Sequence, residues 1–149
     1  RKGMLYEGGI RVPFIVNQPG MVPIQTLDNL IYFPDMMPTL AALAKGTKHL
    51  PKQINGINIL PLFYGKQVDT DNRLLYWEFP GKQRAARKGD WKCVTIHPNQ
   101  PLELYNLKED PEETNNLAKK YPRRVKEFDE EMQRMHIPTP NWPQPGEQF

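Results

Sequence analysis

Between Pro122 and Met135 the apolar residues Val125, Phe128, Met132 and Met135 recur at spacings of three, four and three. That spacing lines one face of a helix of about four turns, with Pro122 at a first-turn position that tolerates its missing N–H. A lone helix of this length is marginal in water, so the stripe predicts packing across a neighbouring sheet. Upstream, from Arg73, the pattern changes to short aromatic and β-branched runs divided by turn residues, over 74–79, 83–87, 91–96 and 102–107. These predict a four-stranded antiparallel meander, with Lys88-Gly89-Asp90 as its clearest hairpin turn.

The first half is patterned differently. From Asp28 to Gly46, Leu30, Ile31, Phe33, Met36, Met37, Leu40, Leu43 and Ala44 recur at helical spacing. Pro34 and Pro38 complicate its start, which predicts a helix beginning near Pro34, kinked at Pro38 and ended by Gly46. Before it, Gly8 and Gly9 predict a tight bend, and Ile10, Val12, Phe14, Ile15 and Val16 a short strand. Pro13 lacks a backbone donor and places that strand at an edge or a bulge. Asn17-Gln18-Pro19-Gly20 is a turn cluster, and a loop follows to about Leu27.

Composition adjusts this picture. The chain has 149 residues, enough for one domain, but its 38% hydrophobic content is low for a self-sufficient core. Sixteen prolines favour long ordered loops. Twenty basic against 17 acidic residues give a net charge of +3, and because the two signs are interleaved no basic face for nucleic acid is expected. No apolar run approaches the roughly 18 residues of a membrane span, so no membrane anchor is expected within the chain. The single cysteine, Cys93, lies in a strand pattern and reads as a buried structural thiol. The proline-rich tail, 137–149, reads as extended and held to its own domain by Trp142.

Several short motifs carry a resemblance. The run KGxxYEGGIRVPFIV, from Lys2 to Val16 and followed by Pro19-Gly20, closely resembles the sulfatase family of the alkaline-phosphatase superfamily. Asp35-Met36-Met37-Pro38-Thr39-Leu40 resembles a D-x-x-PTL segment of that family, in which the aspartate and threonine are structural. Asn55-Gly56-Ile57-Asn58-Ile59-Leu60-Pro61-Leu62 resembles its DG-x-S-L-x-P-L loop, with asparagine in place of aspartate. Further on, Ala86-Arg87-Lys88-Gly89-Asp90-Trp91-Lys92 and Glu103-Leu104-Tyr105-Asn106-Leu107, through Asp110-Pro111, Glu113 and Asn116-Leu117-Ala118, follow the family's order. The resemblance covers about residues 2 to 120.

It implies an α+β fold: the end of a large α/β sulfatase domain over 1–70, then a small four-stranded antiparallel sheet packed on a C-terminal helix over 71–136, then the tail 137–149. It places the family's sulfate-contacting lysine on Lys2, the one substrate-binding residue expected here. The whole protein is then expected to be a sulfuric ester hydrolase using formylglycine and calcium. Its substrate would be a sulfate ester, sulfated carbohydrate included, and its location the periplasm or outside the cell. The formylglycine motif C/S-x-P/A-x-R is absent, since Cys93 is followed by Val94-Thr95-Ile96-His97. The family's calcium ligands also fall outside this sequence. The resemblance therefore implies no catalytic nucleophile and no metal ligand here. Because the sequence opens at Arg1 inside a motif, it is expected to be a fragment, inactive alone and partnered by a missing N-terminal sulfatase domain.

Other candidates read as ordinary. His97 is a loop histidine at a strand end, and His49 and His136 stand apart from one another and from acidic pairs at ligand spacing. Glu112, Glu113, Glu130 and Glu131 read as solvated helix faces. Arg84 and Arg87 occupy the meander that borders the substrate cleft in sulfatases, with surface pairing as their default role. Two alternatives stay open: a phosphonate or phosphodiester hydrolase of the same superfamily, and a non-enzymatic α+β interaction module.

Overall fold

The computed structural model describes residues 3–79, 83–141, 143 and 146–148. Lys2 and Trp142, on which two of the expectations fall, lie outside the described residues. The chain divides into two compact units, one formed by the N-terminal segment to Val12 with the chain from Arg73 onward, the other by Pro13–Asn72. The start of the chain thus joins the sheet unit rather than the rest of 1–70.

The sheet unit contains the expected meander. Strands β1 (Leu74–Phe79), β2 (Gln83–Lys88), β3 (Trp91–Thr95) and β4 (Glu103–Asn106) are ordered β1-β2-β3-β4, each antiparallel to the next. Lys88 pairs with Trp91 across the hairpin, and Gly89 takes the positive φ of 56° that a two-residue hairpin loop demands. Side chains alternate between two buried faces. On one, Ala86, Cys93 and Leu104 meet Phe128 and Met132 of the C-terminal helix (Pro122–Met135). The helix has the expected bounds, and Val125, Phe128 and Met132 of its apolar stripe pack across the meander, whereas Met135, the last of the expected stripe, is 39% exposed at the helix end. Where the sheet meets the loop before that helix, Trp91 packs edge-on against Tyr121 with centroids 5.2 Å apart. The Arg124 guanidinium lies 4.4 Å from the Trp91 ring centre, a cation–π contact. On the other face, Ala85, Val94, Tyr105 and Leu107 enclose Leu5, with Tyr6, Ile10, Trp77 and Ile96 at the margin.

The strand expected over Ile10–Val16 is absent. Instead Glu7–Ile10 forms one helical turn, closed by Gly9 N–H and Ile10 N–H on the Tyr6 carbonyl at 2.8 and 3.2 Å. Beyond it residues 11–16 form no strand, and Val12 and Ile15 stand exposed. Apolar alternation makes a strand only where another strand satisfies its backbone, and Pro13 removes a donor from this one. Gly8 and Gly9 sit in or beside that turn without the left-handed backbone of a sharp bend, which falls at Gly3 (φ 84°).

In the second unit the expected helix begins later than its apolar spacing suggested. A 3-10 turn over Phe33–Asp35 leads into the helix Met36–Leu43. Pro38 therefore falls in the first turn, where its missing N–H breaks no bond. Lys45, not Gly46, takes the left-handed position (φ 57°) after the helix. Lys45 N–H reaches the Ala42 carbonyl and Gly46 N–H the Ala41 carbonyl, a Schellman ending. Asp35, fully buried, accepts from Tyr32 N–H at 3.0 Å and Ile57 N–H at 2.9 Å, and Thr39 Oγ1 accepts from Ile59 N–H at 2.9 Å. The loop from Asn55 is thereby fixed against this helix. A Cβ on Gly56 would lie 2.0 Å from the Pro34 carbonyl oxygen, so no other residue fits there without moving backbone.

Candidate active-site edge

The segment that follows Lys2 is held at successive residues. The Gly3 carbonyl accepts from Gln83 Nε2 at 3.1 Å, and Leu5 is buried on the sheet. Tyr6 donates its hydroxyl to Glu103 Oε2 at 2.5 Å, while its ring packs edge-on against Tyr105, whose own hydroxyl donates to the same oxygen at 2.9 Å. Burial, reinforced by the Glu103 carboxylate, pushes the Tyr6 hydroxyl pKa above the usual phenol range, so it stays a donor.

Glu7 completes the attachment. Its Oε1 lies 2.9 Å from Lys92 Nζ, and its Oε2 is 3.5 Å from Arg87 Nη1. Lys92 Nζ is also 2.8 Å from Glu113 Oε1, and Glu7 N–H donates to Glu113 Oε2 at 2.5 Å. Lys92 is wholly buried, projecting from the second position of β3 on the same face as Val94. A buried ammonium is tolerable only when paired, and here two carboxylates meet it.

Expectation and structure part at several residues. Glu113 is not on a helix and is not solvated: its side chain is 2% exposed, in the loop after β4, with a left-handed backbone (φ 57°). The ammonium of Lys92 overrides the usual preference of glutamate for water. Glu112 is exposed in that loop, whereas Glu130 and Glu131 face solvent on the C-terminal helix beside Lys126 and Arg134. Arg84 faces Asp129 at 3.7 Å, and Arg87 serves Glu7 and the Gly89 carbonyl, so both are engaged within the unit.

His136 is not isolated from acidic groups. Its Nδ1 lies 2.5 Å from Glu78 Oε1 and its Nε2 2.6 Å from Glu147 Oε1, while Tyr76 also donates to Glu78. Burial opposes the charged imidazolium, but the two carboxylates outweigh it and raise the pKa. His97 Nδ1 accepts from Asn99 N–H within its loop, and His49 is exposed. Cys93 is a buried free thiol whose pKa is pushed up to about 12, chiefly by burial.

Among the described residues no three His, Cys, Asp or Glu side chains form a group able to hold a metal ion. The convergent pair Glu7 and Glu113 is occupied by Lys92, so this cluster does not fit calcium. A formylglycine does not fit either: the sequence has no serine, and Cys93 is buried outside the required motif.

The tie between Lys92 and Glu7 spans 85 residues and that between Glu113 and Glu7 spans 106. The signal that could have revealed it is the lysine itself. A charge between buried strand neighbours requires counter-charges, and the YEGG and DP-x-E motifs hold the candidates.

Residues 1–137 match the family described as N-sulphoglucosamine sulphohydrolase, C-terminal. A sulfatase of Formosa agariphila is 32% identical over 139 residues, covering 82% of this chain and 25% of its own length. Arylsulfatase K of Gallus gallus is 30% identical, covering 86% of this chain and 26% of its own. Among solved structures, one from the metabolism of multiple glycosaminoglycans by Bacteroides thetaiotaomicron superposes with a TM-score of 0.75 at 28% identity. That match covers 89% of this chain and 30% of the other. The chain spans about a quarter of the length of these curated relatives. With the sheet, the helix and the motif-bearing segment arranged as described, the chain belongs to the sulfatases, in the N-sulphoglucosamine sulphohydrolase C-terminal family.

Proposed function

We propose that the whole protein hydrolyses sulfate esters of carbohydrates, outside the cytoplasm, and that this portion contributes Lys2 as a sulfate contact. The observation that carries the reading is the fixed attachment of the segment after Lys2. Gly3, Leu5, Tyr6 and Glu7 are each tied to the sheet, an arrangement suited to holding a charged side chain in one place. The apolar side chains left exposed in Pro13–Asn72, among them Ile15, Phe33 and Leu40, support the reading that this unit belongs against a larger body. The formylglycine and calcium implied by the family would come from residues outside this chain and would supply the nucleophile and a charge-stabilising cation. An ammonium at Lys2 would act on the sulfate oxygens, whose charge distribution changes as the S–O bond breaks.

The test is kcat and kcat/KM of the whole protein, wild type against Lys2→Ala and Lys2→Arg, on an aryl sulfate and a sulfated glycosaminoglycan fragment. Losing one positioned contact of this kind costs about 3 kcal/mol, on the order of a hundredfold in rate. Arginine restores little, because a planar fork does not put its donors where a compact ammonium does. The chain on its own turns over neither substrate. An alanine variant within about twofold of wild type removes Lys2 from the site. Faster turnover of a phosphodiester than of any sulfate ester moves the protein to another branch of the superfamily.

A further inference from the structure

Resting on the sulfatase reading above, we propose that Glu7, Lys92, Glu113 and Arg87 form a positioning cluster that sets the register of the Lys2 segment on the sheet. The contacts close into a ring. Glu7 N–H donates to Glu113 Oε2, Glu113 Oε1 meets Lys92 Nζ, and Lys92 Nζ returns to Glu7 Oε1. The ring fixes both the backbone and the side chain of Glu7, while Arg87 holds the remaining carboxylate oxygen from the strand beside β3.

Apolar burial alone would not achieve this. The hydrophobic effect is non-directional, so Leu5 and Ile10 can secure contact with Ala85 and Val94 without selecting one exact placement. A slip of one residue moves each Cα into its neighbour's place, about 3.8 Å away. A catalytic charge has to be held within about 0.5 Å. Buried ionic pairs have their best-attested use in fixing register, because any other alignment strands a charge. Here a misregistered segment would leave the wholly buried Lys92 with one carboxylate fewer.

The loop that brings Glu113 to the ring is itself strained and braced. Glu113 adopts φ 57°, uncommon for a residue with a side chain, and such outliers persist where the surroundings over-determine them. Asp110 accepts from Thr114 N–H and Asn115 N–H. Asn116 Oδ1 accepts from Leu104 N–H and Ala118 N–H, which ties the loop to β4. None of these groups needs to touch substrate. They act through the segment that carries Lys2.

A double-mutant cycle in the whole protein separates positioning from simple stabilisation. Glu113→Gln keeps the shape of the side chain and removes its charge. With kcat expressed per folded enzyme, this variant is expected to lose about tenfold to a hundredfold in kcat, the scale of a displacement near 1 Å, with KM within about threefold of wild type. In a Lys2→Ala background the same change should cost less than about threefold, because there is no lysine left to place. A loss that multiplies fully onto Lys2→Ala, or a Glu113→Gln variant with wild-type kcat, overturns the proposal and leaves the sulfatase reading standing. A silent Lys2→Ala overturns that reading instead, and the proposal with it. If Glu113→Gln does not fold, Arg87→Met at the partly exposed rim carries the same cycle with an expected loss of about threefold to tenfold, and additivity there is equally decisive.

Discussion

The two units of this chain hold themselves together by different means. The sheet unit has a buried surface on both sides of the meander, with a helix on one and the residues after Lys2 on the other. The unit Pro13–Asn72 is stitched by side chain to backbone bonds at Asp35, Thr39 and Thr70, yet it leaves Ile15 86% and Phe33 87% exposed. Order in a loop-rich segment therefore need not mean that its apolar residues are covered. Polar pins can shape a surface whose apolar side faces outward. In the sheet unit the same kind of polar pin sits inside a closed core, where it selects placement as well as shape.

The comparison is broken most directly from the sheet side. Phe128→Ala should destabilise the sheet unit by about 3–5 kcal/mol, since it opens a cavity between the helix and β2–β4. Denaturant unfolding followed by tryptophan fluorescence would measure it, and a loss below about 1 kcal/mol would mean that the helix face is not the principal core. In the other unit, Gly56→Ala should cost about 1–3 kcal/mol by forcing the loop away from the Pro34 carbonyl. Amide exchange at Ile57 and Ile59, whose N–H groups bond Asp35 and Thr39, should rise selectively.

Smaller still, Phe33→Ser in the chain alone should change stability by no more than about 0.5 kcal/mol, as for other exposed positions. A much larger loss in the whole protein would reveal a covered surface, and equal small effects in both would count against one. The smallest expected effect is a pH trend. The pKa of His136 is raised in the folded chain above its ordinary 6.5, so its stabilising contribution is complete below about pH 6.5 and fades as pH rises through the raised value. Melting temperature against pH should therefore fall more steeply for wild type than for His136→Gln. Parallel profiles would show that the Glu78 and Glu147 contacts contribute nothing.

What the sequence disclosed follows from the range of the forces involved. The stripe Val125, Phe128, Met132 was readable because helix periodicity is local, and the Gly89 hairpin because a positive φ is a property of one residue. The run Ile10–Val16 was misleading because strand formation depends on a partner that local composition does not reveal. Glu113 looked solvated for the same reason: its environment is set by Lys92, elsewhere in the sequence. His136 likewise finds Glu78 at a separation of 58 residues. The family motifs marked Glu7, Lys92, Asp110, Glu113 and Asn116 without saying what they do. In the fold, Glu7, Lys92 and Glu113 attach to one another, while Asp110 and Asn116 shape the loop that delivers the last of them.

The ring around Lys92 also imposes an order on synthesis. Glu7 leaves the ribosome well before its partners, with Lys92 following 85 residues later and Glu113 106 residues later. At translation rates of about 5–20 residues per second, this delay is on the order of ten seconds. During that interval Glu7 has neither its ammonium nor the carboxylate that receives its amide. The segment beside Lys2 is thus among the earlier parts of this sequence to be made and among the later to be fixed. A nascent chain halted before Glu113 would carry the lysine motif complete in sequence and unset in space.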